Sequence, residues 1–416
     1  MNLTNIIKSN SFTFFIISFV FIIYILVRKK NFKLLTIFSS VYFTLLLISG
    51  IFFFQEKKYQ ISDRREFVVN NKAEGISLVP QVFLGINDGR PSSERIDYEY
   101  PDQIIDKIFF PLGTIPNKKL IVCEEDDGPM IRHSDRYGFY NEDFLWNFVY
   151  HDLVIVGDSH AAGDCVNKTP SQLLNENKDI KVVNLGLGGN GPLTTYAATK
   201  EYFKKYNSEY IYYVISTNDY SRENFSVLDI DLEGESKNKI LLQTLKTTYT
   251  QDYFSPNALK FLEKKLLKIS NELVINYPED KSQKNTVFMK DFISLRYLLR
   301  TTYNILNPLL KPGVRFLNNE NEALLKESYE EIEKLNPNKT VFIIKPNINC
   351  GKRDSSEYNY IKNILKLSNI QDRSILDTTK KLCMDYLWSK KGNHLNQKGY
   401  EVLSAIIRDD YLSRKR

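Results

Sequence analysis

The sequence predicts an α/β protein: a three-layer α/β/α core around a mostly parallel central sheet, with a helical insertion and two amino-terminal transmembrane helices. Three observations carry this. Short apolar runs recur after residue 150 and alternate with segments of helical period, the pattern of strands buried on both faces and joined by crossover helices. Two long apolar stretches open the chain. Residues 226–335 break the strand rhythm with long amphipathic segments such as ALKFLEKKLLKISNEL and ALLKESYEEIEKL, read as a mostly helical insertion whose apolar stripes are core.

Residues 11–27, SFTFFIISFVFIIYILV, carry no charge, and residues 34–54, LLTIFSSVYFTLLLISGIFFF, follow after only six residues. The first reaches the minimum length of a spanning helix and the second the standard one. No small-residue cleavage site follows the first, so a two-helix anchor over 1–54 is preferred to a cleaved leader. The connector Arg28-Lys29-Lys30-Asn31-Phe32-Lys33 is strongly basic, whereas the preceding tail has only Lys8. The positive-inside rule then places the connector in the cytoplasm and everything after residue 55 outside, as a multi-pass inner-membrane protein with a periplasmic soluble part. Lys57, Lys58, Arg64 and Arg65 pull the other way but are mixed with acids.

The 416 residues, 43% hydrophobic, leave ample material for a full core. The net charge of +6 is partly in the anchor's flanks and the two signs interleave elsewhere, so nucleic acid is not an expected partner. The four cysteines, Cys123, Cys165, Cys350 and Cys383, allow up to two disulfides in an oxidising compartment. Cys350 and Cys383 flank the last strands and could pair, whereas Cys165 reads as a buried packing residue. No CxxC pair occurs, and no metal or cofactor is expected.

After the anchor, residues 55–149 are rich in Pro, Asp, Gly and Tyr without a sustained period, a lead-in of loops and short strands. The first part of the core, 150–225, holds LVIV (153–156), KVVNL (181–185) and YIYYVIS (210–216); the second, 336–416, holds TVFIIKP (340–346) and SILDT (374–378). The clearest helix begins at Pro192, with Asn190 and Gly191 as its entry turn and Leu193, Tyr196, Ala197, Phe203 and Tyr206 on one face.

Ligands of an open parallel sheet sit at the carboxyl ends of its strands. Here those ends are Gly157-Asp158-Ser159-His160, Gly186-Leu187-Gly188-Gly189-Asn190-Gly191 and Ser216-Thr217-Asn218-Asp219, with His394 just before an amphipathic final helix. These types are the inventory of acyl transfer. A serine hydroxyl needs an imidazole to take its proton, which pairs Ser159 with His394. The developing oxyanion needs preorganised donors, for which the Ser159 amide, a glycine amide near Gly189 and the Asn218 side chain are the candidates. Asp158 reads as a turn-holding residue and His160 as a capping or substrate-side residue. His133 and His151 lie in no acidic or cysteine cluster, so a surface or locally hydrogen-bonded role is their default.

Two rival motifs are weaker. Gly157-x-Ser159-x-Ala161 fails the last position of the G-x-S-x-G elbow. Gly186-x-Gly188-x-x-Gly191 matches the dinucleotide fingerprint in form, but it does not follow the first strand of the sheet.

Gly157-Asp158-Ser159, Asn184-x-Gly186-x-x-Gly189, Asn218-Asp219 and His394-Leu395-Asn396, in this order, resemble the four blocks of the SGNH (GDSL-type) hydrolase superfamily. The strings DRYGFYN (135–141), NLGLGGNGPL and HLNQKGY further resemble a bacterial membrane-associated branch that accompanies surface-polysaccharide machinery. The resemblance covers roughly 130–225 and 335–410. It implies a flavodoxin-like core with Ser159 as nucleophile, His394 as base, and Ser159, Gly189 and Asn218 as the oxyanion hole. Two departures stand out: the family's Asp two or three residues before the histidine is replaced by Lys391 and Gly392, and Ser216 stands where the third block begins with glycine. Asp385 or Asp377 could supply the orienting acid from the preceding loop. The implied activity is a membrane-anchored serine esterase or O-acyltransferase on acylated glycan. The alternative is a catalytically impaired SGNH-like protein that binds glycan or scaffolds polysaccharide export proteins.

Overall fold

The computed structural model describes residues 112–125, 128–176, 179–216, 319–345, 352–389 and 394–416, together with Ser40, the pair 79–80 and parts of 246–267. The apolar spans at 11–27 and 34–54 lie outside the described residues apart from Ser40, as does most of the predicted insertion. Among the described residues, no helix is long and apolar enough to cross a membrane. All of them except Ser40 belong to one compact unit, 64–275 with 314–416.

The lead-in contributes a small three-stranded sheet in the order β1–β2–β3: β1 (Val79–Pro80), β2 (Lys119–Glu125) and β3 (Gly128–His133). The main sheet is five-stranded and parallel throughout, ordered β5–β4–β6–β7–β8. Its strands are β4 (Tyr150–Gly157), β5 (Val182–Asn184), β6 (Asn207–Ser216), β7 (Thr340–Lys345) and β8 (Ile375–Asp377). The predicted α/β architecture with a parallel sheet is therefore present.

Burial explains why the strands read as unbroken apolar runs. In β4 every residue after Tyr150 is buried. Val154 and Val156 enter one core while Leu153 and Ile155 enter another, because successive side chains point to opposite faces. A strand covered on both faces has no solvent side on which to place polar residues.

The helices that supply the two coverings are α1 (Ser159–Ala162), α2 (Pro170–Asn175), α3 (Pro192–Lys205), α4 (Asn319–Leu335), α5 (Lys352–Leu367), α6 (Thr379–Leu382) and α7 (Gln397–Lys415). Helices α3, α4 and α5 give Leu193, Tyr196, Leu325, Tyr329, Ile361 and Leu365 to the first core. Helices α2 and α7 give Leu174, Tyr400, Leu403 and Ile407 to the second. Helix α3 starts at Pro192 as predicted, with Gly191 as its N-cap, and Phe203 is only half-buried on its otherwise apolar face.

The strand order reverses direction between β4 and β6, and in such sheets the crevice at the reversal is the ligand position. Ser159 follows the end of β4, whereas Asn218, two residues after the last residue of β6 in the sequence, lies outside the described residues.

Candidate active site

Glycine is required where β4 turns into α1. Gly157 has φ +142°, and a Cβ there would lie 2.5 Å from the Val214 carbonyl oxygen. The following Asp158 caps α1: its Oδ1 accepts from the His160 amide at 2.9 Å, the turn-holding role expected of it. Its main-chain carbonyl accepts from the amides of Ala161 and Ala162.

Ser159 Oγ lies 2.8 Å from His394 Nε2. The structure thus brings together the two residues the sequence paired. A serine hydroxyl donating to Nε2 leaves the proton of the neutral ring on Nδ1. Ser159 is 9% exposed and His394 is half-buried.

The mount of His394 is built by the residues around it. Its carbonyl accepts from the Ser389 amide at 3.0 Å, and Asn396 donates its amide to the Leu387 carbonyl at 2.9 Å. Asn396 is also the N-cap of α7, its side chain accepting from Gly399 N at 3.0 Å and donating to the carbonyls of Tyr386 and Trp388. Gln397 pairs with both main-chain groups of Lys168, accepting from its amide at 2.9 Å and donating to its carbonyl at 3.3 Å. That contact ties the loop after α1 to the start of α7. From the lead-in, the buried Arg132 guanidinium donates to the carbonyls of Gly163, Val166 and Asn167, and burial lowers its pKa.

The same loop carries Cys165, and here one expectation is corrected. Cys165 is not a free packing residue: it is half-buried and disulfide-bonded, as is Cys383. Its Sγ lies 3.3 Å from His394 Nδ1, the ring nitrogen that an orienting acid would meet. Of the two acids considered for that role, Asp377 is exposed and engaged elsewhere, accepting from Thr379 N at 2.9 Å. Asp385 begins a short 3-10 turn, Asp385–Leu387, just before Trp388, which forms an isolated bridge with Leu395, and its side chain lies outside the described residues.

Gly189, the candidate oxyanion donor, has φ +84° and occupies a turn in which Asn190 N donates to the Leu187 carbonyl at 3.0 Å. Asn218 lies outside the described residues. Asn190 was not singled out by the sequence as a donor. Its Nδ2 is buried without a hydrogen-bond partner among the described residues, an arrangement expensive to maintain unless something else accepts from it.

Lys345 is the second residue that the sequence reading missed. It ends β7, is fully buried, and places Nζ 3.5 Å from His160 Nε2 and 4.4 Å above the Trp388 ring. His160 in turn packs against His394, with ring centroids 4.8 Å apart. An ammonium has donors and no lone pair, so in this contact Lys345 Nζ donates and His160 Nε2 accepts. The signal was a charge closing the apolar run TVFII at the ligand edge. Of the remaining histidines, His133 is exposed. His151 is buried at the amino-terminal end of β4, the end of the strand away from Ser159, bonded to the Leu145 carbonyl at 2.9 Å and the Tyr202 hydroxyl at 2.6 Å, and burial lowers its pKa.

The arrangement can do one kind of chemistry directly: an imidazole in contact with a serine hydroxyl can withdraw its proton as the oxygen attacks an electrophile. No protein-family model matches the chain, and no curated protein matches it.

Proposed function

We propose that the chain is an SGNH-type serine esterase or O-acyltransferase, anchored in the inner membrane with its catalytic part outside the cytoplasm and acting on acylated glycan. The observation that carries the reading is the 2.8 Å contact between Ser159 Oγ and His394 Nε2 at the edge of a parallel sheet. The strand order, which matches the flavodoxin-like arrangement of that superfamily, supports it. Disulfide-bonded Cys165 and Cys383 fit an oxidising compartment.

In the proposed reaction, Ser159 Oγ bonds to the acyl carbon as His394 Nε2 takes the hydroxyl proton. The oxyanion is held by the amides of Ser159 and Gly189 and by the Asn218 side chain. Collapse breaks the ester C–O bond, and the proton on His394 goes to the leaving sugar oxygen. Water or a sugar hydroxyl then attacks the acyl-serine, giving its proton to His394, and Ser159 recovers it as the acyl group departs. Exclusion of water and placement of an acceptor hydroxyl decide between hydrolysis and transfer.

One observation favours the second reading, a catalytically impaired SGNH-like protein that binds glycan or scaffolds polysaccharide export. A disulfide sulfur, a weak acceptor, lies 3.3 Å from His394 Nδ1. Hydrolysis of a generic acetyl ester by the full chain and by Ser159→Ala separates the two: the esterase requires a rate that disappears in the variant, and equal rates remove Ser159 as nucleophile.

A further inference from the structure

We propose that Asn184 and Asn141 are positioning residues that hold the Ser159 helix in fixed relation to the loop carrying Gly189. The proposal deepens the esterase reading and rests on it for the reaction concerned.

Asn184 ends β5 and is buried. Its Nδ2 donates to the Ala161 carbonyl at 2.6 Å, and its Oδ1 accepts from the Gly186 amide at 2.8 Å. One carboxamide therefore spans the gap between the helix that begins with Ser159 and the loop that leads to Gly189. The two parts are also in direct contact. A Cβ on Gly186 would stand 2.6 Å from Ala162 N and 2.7 Å from the Ala161 Cβ, so neither part can shift toward the other.

Asn184 is itself held from the lead-in. Asn141 Oδ1 accepts from the Asn184 amide at 2.7 Å, and Asn141 Nδ2 donates to the Asn184 carbonyl at 3.0 Å. The remaining Nδ2 proton goes to Asp135 Oδ2 at 3.0 Å. A carboxylate is an acceptor only, so Asp135 fixes which way the Asn141 amide faces, and Asn141 then matches both main-chain groups of Asn184. Tyr137 N, Phe139 N and Trp146 Nε1 complete the Asp135 cradle at 2.9, 2.9 and 2.8 Å. The DRYGFYN string thus has a physical purpose: its first and last residues are the anchor and the transmitting amide.

Oxyanion donors act only if they meet the charge where it develops, and a displacement of about 1 Å can cost about 100-fold in rate. Loss of the Asn184 bridge is therefore expected in kcat rather than KM.

The test uses the full chain with p-nitrophenyl acetate. Asn184→Asp keeps an acceptor for Gly186 but sets an acceptor against the Ala161 carbonyl, Asn184→Ala removes both bonds, and Asn141→Ala acts one link further away. Each should lower kcat by about 10- to 100-fold with KM within about threefold. A variant whose β4 amides exchange as in the wild type, yet which retains wild-type kcat, overturns the proposal. Should the Asn184 variants fail to fold, Asn141→Ala decides by the same criterion. Should the wild type and Ser159→Ala turn over equally, the esterase reading fails and amide exchange in Asn184→Ala decides the positioning claim. Exchange about tenfold faster at 159–163 and 186–190, with β4 unchanged, supports it; unchanged exchange at those amides overturns it.

Discussion

Ser159 Oγ and His394 Nε2 meet at 2.8 Å across 235 residues of chain. Neither residue reaches the other by flexible extension. Ser159 is fixed by the end of a central strand and an Asp-capped turn, and His394 by main-chain pairing with Ser389 and the Asn396 cap of α7. The contact is thus a property of the fold, and four perturbations of its surroundings have definite consequences.

The orienting acid is tested by two substitutions. Asp385→Asn should lower kcat by about 10³- to 10⁴-fold if Asp385 orients the His394 ring. Asp377→Asn should leave kcat unchanged, since Asp377 bonds Thr379, and should change stability little, because the asparagine Oδ1 still accepts from the Thr379 amide. Steady-state ester hydrolysis with thermal unfolding measures both. A rate loss confined to Asp377→Asn would reverse the assignment.

Reduction should weaken the site through Cys165. Its disulfide holds the sulfur that packs on His394 Nδ1 at 3.3 Å, and a lost disulfide typically costs about 2–4 kcal/mol. Dithiothreitol treatment should lower the unfolding temperature and the hydrolysis rate together. Full activity in the reduced protein, with thiols counted to confirm reduction, would exclude a role for the disulfide in holding the histidine.

Asp135 gives a stability signal whose sign follows from its surroundings. Burial is the largest influence on it and raises its pKa from 3.8 to about 6, although Trp146, Phe139, Asn141 and Tyr137 donate to the carboxylate and work against the rise. The folded state therefore holds the proton more tightly than the unfolded state. The associated stabilisation is complete below pH 3.8 and is lost as pH rises through about 6. Comparison of wild type with Asp135→Asn by urea unfolding from pH 4 to 7 should show the wild type's advantage shrinking with pH, by roughly 2–3 kcal/mol. An advantage that grows over that range contradicts the assignment.

Gly186→Ala probes the packing between loop and helix. The added methyl would meet main-chain and Cβ atoms of Ala161 and Ala162 at 2.6 to 2.8 Å, groups that cannot rotate away. Overpacking of this kind costs about 1–3 kcal/mol. Thermal unfolding should fall accordingly and ester hydrolysis with it. A variant of wild-type stability would show that the loop can yield there.

Much of the core was legible because burial on both faces writes itself into the sequence. LVIV, VVN and TVFII are strands, and the turn residues after LVIV end at Ser159. The pairing of Ser159 with His394 was legible because chemistry limits which residue types can cooperate. Lys345 was not, since a lysine at the end of an apolar run looks like a solvent-exposed boundary until His160 and Trp388 are seen around it. The fate of Cys165 depends on which chains pass nearby, which no local pattern records. The purpose of DRYGFYN was hidden for the same reason: Asp135 and Asn141 act on Asn184, 43 residues beyond Asn141.

The central claim is that His394 activates Ser159 as a nucleophile, and covalent capture by a fluorophosphonate tests it most directly. After incubation of the full chain, peptide mass mapping should find the adduct on Ser159, and His394→Ala should label at least about 100-fold more slowly. An adduct on another residue, or labelling of Ser159 at the same rate without His394, would contradict the account.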